Sequence, residues 1–134
     1  MSRPAPGRYV IYNRVLSPSG QKLAMSYKNG DSGATVTALN YAPYQVWEVQ
    51  NYDSRTQSIS PQGTNLQCAW GDGFISVLPA GGYVWVIIGN DDGYTIQDGG
   101  ESNSWGVDSA VDSHLVNIGQ PTGSVQQRWI FEKM

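Results

Sequence analysis

Few residues in this chain are equipped for acid–base or nucleophilic chemistry. It has one histidine, His114, and one cysteine, Cys68. A serine needs a neighbouring base to become a nucleophile, so any Ser-His-Asp triad would have to use His114. Its setting, Val111-Asp112-Ser113-His114-Leu115, reads as a loop entering a strand. That predicts a surface histidine. A dyad of Cys68 and His114 would need a thiolate, but Cys68 alternates with Leu66 and reads as a small buried apolar residue. One His and one Cys do not make an ordinary zinc site. Asn90-Asp91-Asp92-Gly93 resembles a calcium loop only faintly, because the later Glu and its spacing are missing. The 11 acidic residues mostly sit beside turn glycines, where no carboxylate pair for glycoside hydrolysis stands out. Gly81-Gly82 lacks the lysine and helix of a phosphate cradle. The reading is a non-enzymatic protein with no metal and no cofactor.

The richer chemistry lies in the aromatics. A pyranose has a face of C–H bonds that packs on an aromatic ring, while its hydroxyls need hydrogen-bond partners. Trp and Tyr present large area and lose little rotamer entropy on binding. The 5 Trp divide into two sets. Trp47, Trp85 and Trp129 follow Gln45-Val46, Tyr83-Val84 and Gln127-Arg128, which reads as a repeated core position. Trp70 and Trp105 each precede a glycine, in Ala69-Trp70-Gly71 and Ser104-Trp105-Gly106, and Tyr27 holds the matching place earlier. Each unit thus offers one aromatic near a hairpin tip. Such a ring is either a cap on the fold or a binding surface. Trp70 is favoured for binding. The stretch after it, through Trp85, is apolar and aromatic with glycines that let backbone approach a ligand. Tyr27 and Trp105 are secondary candidates.

The elements that must position these rings are strands. Short alternating segments, Tyr9-Val10-Ile11-Tyr12, Leu23-Ala24-Met25, Thr35-Val36-Thr37 and Gln45-Val46-Trp47-Glu48-Val49, are separated by clusters of Gly, Pro, Asn, Asp and Ser. No helical-length window keeps a 3.6 period without a breaker. The Trp spacings are 38 and 44 residues. Val10-Ile11-Tyr12, Ser58-Ile59-Ser60 and Thr95-Ile96-Gln97 open three like units, at about 7–53, 54–92 and 93–134. With about four strands each, the units predict a single all-β domain of about twelve strands closing a capped barrel.

Composition excludes other classes. Only 14% of residues are charged and the net charge is −3, so a phosphate backbone would be repelled and nucleic acid is not an expected partner. No apolar stretch reaches membrane-spanning length, so no membrane insertion is expected. One cysteine, no signal-like start and no Asn-x-Ser/Thr acceptor predict a cytoplasmic location.

Gln-x-Trp near the end of each roughly forty-residue unit resembles the signature of ricin-B-like β-trefoil lectins, with Tyr83 departing from it in the middle unit. Tyr9 to Gly20 (YVIYNRVLSPSG), Val77-Leu78-Pro79, Tyr83-Val84-Trp85, Tyr94 to Gly99 (YTIQDG) and Arg128 to Lys133 (RWIFEK) resemble a narrower group. These are the mushroom β-trefoil lectins that bind fucosylated chitobiose, the GlcNAc-containing core of some N-glycans. The resemblance implies that Trp70, Leu78, Tyr83, Val84 and Trp85 contact the sugar and that Tyr52 lies near it. It also implies an Asn where this chain has Gly82, so a side-chain hydrogen bond is missing there. Backbone groups around Gly81-Gly82 are expected to hold hydroxyls. The implied partners are glycoproteins carrying α1,3-fucosylated cores, with a homodimer or clustered glycans supplying avidity. The implied role is fungal defence, acting on gut glycans of feeding nematodes or insects.

Two alternatives stay open. A galactose-type site would use an Asp early in a unit, from Asp31, Asp72 or Asp98. A β-trefoil protease inhibitor would present an anchor such as Arg55 in Asp53-Ser54-Arg55-Thr56.

Overall fold

A computed structural model describes residues 2–90 and 93–134. The described strands are β1 Gly7–Leu16, β2 Lys22–Ser26, β3 Thr35–Ala38, β4 Val46–Asn51, β5 Gln57–Pro61, β6 Leu66–Trp70, β7 Ile75–Pro79, β8 Val86–Asn90, β9 Gly93–Gln97, β10 Ser104–Gly106, β11 His114–Leu115, β12 Asn117–Gly119 and β13 Trp129–Lys133.

Six of them close a ring. β1 pairs with β4 and β13, β4 with β5, β8 with β9, and β9 with β13. The remaining seam is the pair Gln57 and Trp85, whose N–H groups donate to each other's carbonyls at 2.8 Å. A closed ring leaves no open edge. The hairpins β2–β3, β6–β7 and β10–β12 cap one end. One residue from each hairpin region joins a hydrogen-bonded cycle at the pseudo-threefold axis. Ala34 N–H donates to Ile75 O, Ile75 N–H to Val116 O, and Val116 N–H to Ala34 O, each at 2.9 Å. All three residues are wholly buried. Backbone there comes so close that a Cβ on Gly33 would collide with the Ile75 carbonyl. This barrel with three hairpins is a β-trefoil.

The repeated residues explain the symmetry. Ile11, Ile59 and Ile96, one from each opening strand, are fully buried. Trp47, Trp85 and Trp129 each donate their indole N–H inward, to Met25 O, Cys68 O and Trp105 O at 3.0, 3.0 and 3.1 Å. A buried indole is costly unless its donor is satisfied, so these bonds fix all three rings at one level of the core.

One sequence expectation is corrected. Gln45, expected in a strand, lies in a short 3-10 turn ahead of β4, as Gln127 does ahead of β13. Tyr83-Val84-Trp85 likewise precedes its strand, which begins at Val86. β11 and β12 are separated at Val116, which turns its backbone to the threefold axis. Asp91 and Asp92 of the faint calcium-like turn lie outside the described residues.

Candidate functional site

The tryptophan hydrogen bonds align the hairpins residue by residue. Met25, Cys68 and Trp105 are equivalent, since each accepts from its unit's core Trp. Two residues on, Tyr27, Trp70 and Val107 are therefore equivalent. The pairing Tyr27 N–H to Tyr44 O and Val107 N–H to Gln126 O, each acceptor three residues before its Trp, agrees. Trp105 is thus not a hairpin-tip aromatic. It is fully buried, with its ring perpendicular to Trp85 at 4.9 Å between centroids. Its assignment as a secondary sugar-facing residue is corrected: no face of it reaches solvent. The third unit has Val107 at the tip position, and that residue is buried too.

In the middle unit the tip ring does emerge. Trp70 ends β6 and is 49% exposed. Its ring lies 18° from parallel to Trp85 at 6.5 Å between centroids, within the range of offset aromatic pairs. Trp85 itself is 3% exposed, so it supports Trp70 from below and offers a ligand almost no face. Leu78 and Tyr83 are also exposed, at 38% and 37%. Leu78 stands on β7 across from Gln67. The chain then turns through Pro79 to Gly82, and Val84 sits half-buried between Tyr83 and Trp85. Gly82 has φ +81° and lies open, with nothing within 4 Å of a Cβ placed there. Gly81 lies under the Tyr83 ring: a Cβ at 81 would come 3.2 Å from Tyr83 Cε2. Tyr52 is 65% exposed. It follows Asn51, which pairs with Gln57, which in turn pairs with Trp85, so the ladder carries Tyr52 to the row beside Trp85. Of the sequence-predicted residues, exposed Trp70, Leu78 and Tyr83 and half-buried Val84 thus lie on one hairpin and the segment after it, Tyr52 lies on the connection after β4, and Trp85 lies beneath.

One expected role is narrowed. The N–H groups of Gly81, Gly82 and Tyr83 do not face outward. All three donate to Oε1 of Gln67, at 3.1, 3.2 and 3.1 Å. Hydroxyls of a ligand are left the loop's carbonyls, not its amides. Gln67 was missed by sequence reasoning. The signal was there: Tyr83 replaces the glutamine that the other units use, so some other group had to hold this segment.

Tyr27 is half-buried against the core and opens on a cleft of about 330 Å³. Tyr44, Pro43, Pro61 and Leu66 supply apolar wall, and Asn29, Gln62 and Thr64 supply polar groups. The Lys28 ammonium covers the Tyr44 ring at 4.5 Å. A larger cleft of about 420 Å³ in the third unit, lined by Val107, Asp108, Asn117 and Gln126 among others, has no aromatic wall.

Of the three aspartates a galactose-type site could use, Asp72 lies exposed in the turn after Trp70, and the other two are engaged locally. The Asp98 carboxylate accepts from Ser102 N–H, Ser102 hydroxyl and Asn103 N–H at 2.8–2.9 Å. Partial burial pushes its pKa up, but these bonds outweigh it and hold the group below the ordinary aspartate value. Asp31 caps its turn by accepting from Lys28 N–H at 2.9 Å. Both carboxylates are engaged in turn chemistry. Arg55 sits in a tight Asp53-capped turn and pairs with Glu101 at 2.6 Å, unlike the extended free anchor an inhibitor needs. Cys68 is fully buried, and burial pushes its thiol far up, which suppresses the thiolate a nucleophile requires. His114 pairs with β3 at the hairpin edge, its ring 3.7 Å from Asp108.

A family model described as CCL2 lectin-like matches residues 7–129. No curated protein matches the chain. Among solved structures, the Macrolepiota procera ricin B-like lectin, determined in complex with lactose, is similar with a TM-score of 0.79 and 10% identity over the whole of both chains. The designed threefold-symmetric ThreeFoil gives 0.74 at 17% identity, covering 96% of this chain and 99% of that one. A mosquitocidal holotoxin gives 0.82 at 19% identity, covering 98% of this chain but 18% of the toxin. This chain therefore spans less than a fifth of the toxin's length. At such identities the structural likenesses establish the fold.

Proposed function

The chain belongs to the CCL2 lectin-like family, and from that membership we propose that residues 1–134 act as one sugar-binding module whose principal site is the surface of Trp70, Leu78, Gly82, Tyr83 and Val84. It is a carbohydrate-binding protein of β-trefoil type; the residues and the glycan are our reading. The observation that carries it is the half-exposed Trp70 ring resting on buried Trp85. A large apolar ring at the surface costs solubility, and here it is held rigid, as a stacking platform needs.

The proposed ligand is the α1,3-fucosylated chitobiose core. Trp70 and Tyr83 stack on pyranose faces. Leu78 and Val84 shape a recess for a methyl, from fucose or an N-acetyl group. Tyr52 borders the site from the β4 side. The Tyr27 cleft, the pseudo-threefold counterpart of the Trp70 position, is proposed as a weaker secondary site. A shallow platform binds at about micromolar to tens of micromolar, so a dimer or clustered glycans would supply useful strength. The proposed role is defence, with the lectin held in the cytoplasm and acting on glycans of a feeding animal. No catalytic step is proposed.

A glycan array tests the reading. Selective binding to α1,3-fucosylated chitobiose cores supports it. Binding to galactosides alone would keep the lectin and move the site. No binding to any glycan would contradict it and favour the protease-inhibitor reading.

A further inference from the structure

We infer that Gln67 is the positioning residue of the Trp70 surface: it takes over the segment-holding work of the glutamine missing at position 83, and so frees that position to carry a ring toward the ligand. This rests on the sugar-binding reading above and names a residue that neither sequence nor family likeness singled out.

The other two units show what the missing glutamine does. Gln45, two residues before Trp47, is fully buried. Its Oε1 accepts from the N–H groups of Asn40 and Tyr41 at 2.9 and 3.2 Å, and its Nε2 donates to Ala38 O at 2.9 Å. Gln127, two residues before Trp129, does the same. Its Oε1 accepts from Thr122 N–H at 2.8 Å and its Nε2 donates to Gln120 O at 2.9 Å. In both units the glutamine is turned inward and pins the segment that leads into the core Trp.

The middle unit has Tyr83 at this place, turned outward and 37% exposed. Its leading segment still needs an acceptor, because three successive N–H groups point to one spot. That acceptor comes from another strand. Gln67 on β6 places Oε1 at 3.1–3.2 Å from all three N–H groups of residues 81–83. Three converging donors also settle which way the amide faces, since only oxygen can accept. Gln67 is at the same time the cross-strand partner of Leu78. One half-buried side chain therefore holds the N–H groups of residues 81–83 beside the strand position that carries Leu78.

Removing the amide would leave the N–H groups of residues 81–83 without their shared acceptor, and glycine has the most backbone freedom to regain. Apparent affinity falls in proportion to the binding-competent population. If that population drops to about a tenth, binding of the probe weakens about tenfold.

The experiment compares the full chain with Gln67→Ala and Gln67→Glu. The probe is the fucosylated chitobiose trisaccharide, with binding read by calorimetry. Amide exchange at residues 81–83 is read in the ligand-free proteins, and thermal melting checks the fold. Gln67→Glu keeps an acceptor oxygen. The expected result is an affinity loss of about tenfold in Gln67→Ala, with faster exchange at all three amides and a melting temperature close to the parent. Gln67→Glu restores both affinity and protection. A purely structural role would lower the melting temperature and leave the folded fraction binding normally, which overturns the inference. So does equal weakening in Ala and Glu variants. If the parent protein binds the trisaccharide and Gln67→Ala binds it equally, this inference alone fails. If the parent does not bind it, the sugar reading fails and takes the inference with it.

Discussion

The indole of Trp70 lies nearly parallel to that of Trp85, 18° apart and 6.5 Å between centroids, with the first ring half in solvent and the second sealed from it. The two rings have different work, although they look alike in sequence. Trp85 is fixed by its hydrogen bond to Cys68 O and by the perpendicular Trp105 ring. Trp70 rests on Trp85 and keeps an open face. Trp85→Ala should therefore cost about 3–5 kcal/mol of stability, the range for deleting a large buried aromatic. Trp70→Ala should cost about 1 kcal/mol or less, as a half-exposed truncation. Chemical denaturation of the two variants separates these outcomes. Equal losses would mean that Trp70 is a core residue.

Gly81 and Gly82 predict opposite effects. A methyl at 81 comes within 3.2–3.4 Å of the Tyr83 ring atoms, so Gly81→Ala should displace the ring by a few tenths of an ångström. Glycan affinity should fall several-fold with little change in melting temperature. A side chain at 82 meets nothing within 4 Å, but φ of +81° restricts the choice. Asn tolerates that region better than other L residues. Gly82→Asn should fold and add a donor beside the platform, and one hydrogen bond of about 0.5–1.5 kcal/mol would tighten binding of the trisaccharide up to about tenfold. Calorimetric titration of both variants checks the pair.

The Tyr27 cleft predicts a second, weaker binding event. A saturating titration of the parent with the trisaccharide should show it beyond the first equivalent. Tyr27→Ala should remove it and leave the Trp70 event in place. A single event in the parent would remove the Tyr27 cleft from the account and leave the principal site untouched.

Two carboxylates predict the acid response. The Arg55 N–H holds Asp53 below the ordinary aspartate value, with the Thr56 hydroxyl and N–H adding to it. Asp98 is lowered on balance as well, against a desolvation that raises it. A depressed folded pKa gives stability that is fully present above the ordinary value of about 3.9 and is lost as pH falls through the folded value. Melting temperature should hold flat from neutral pH to about 4 and then decline. Asp53→Asn and Asp98→Asn should each flatten that decline. A decline already under way at pH 6 would point to other groups.

Much of the barrel was legible because its signals are periodic. Ile11, Ile59 and Ile96 open their units in alternating strands, and the spacing of Trp47, Trp85 and Trp129 marks the units' ends. Trp105 was not legible for a definite reason. Ser104-Trp105-Gly106 copies Ala69-Trp70-Gly71, but the two differ by two residues in register. A shift of two preserves which face a side chain takes, and only the position along the strand changes, from tip to core. Tyr27 escaped that ambiguity. Trp70, Leu78 and Tyr83 could be placed together because one glycine-rich segment links them. The glutamine missing at 83 called for another acceptor, but it did not identify Gln67, which acts on amides 14–16 residues away with nothing in its local pattern to show that reach.

The most direct test of the central claim is a titration of the isotope-labelled protein with the fucosylated chitobiose trisaccharide, followed through its amide and indole resonances. The Trp70 indole and the backbone amides of Leu78 and residues 81–84 should shift together with one dissociation constant, and Trp70→Ala should abolish those shifts while the rest of the spectrum is unchanged. Shifts centred on the third-unit cleft around Val107 and Gln126, or saturation unaffected by Trp70→Ala, would contradict it.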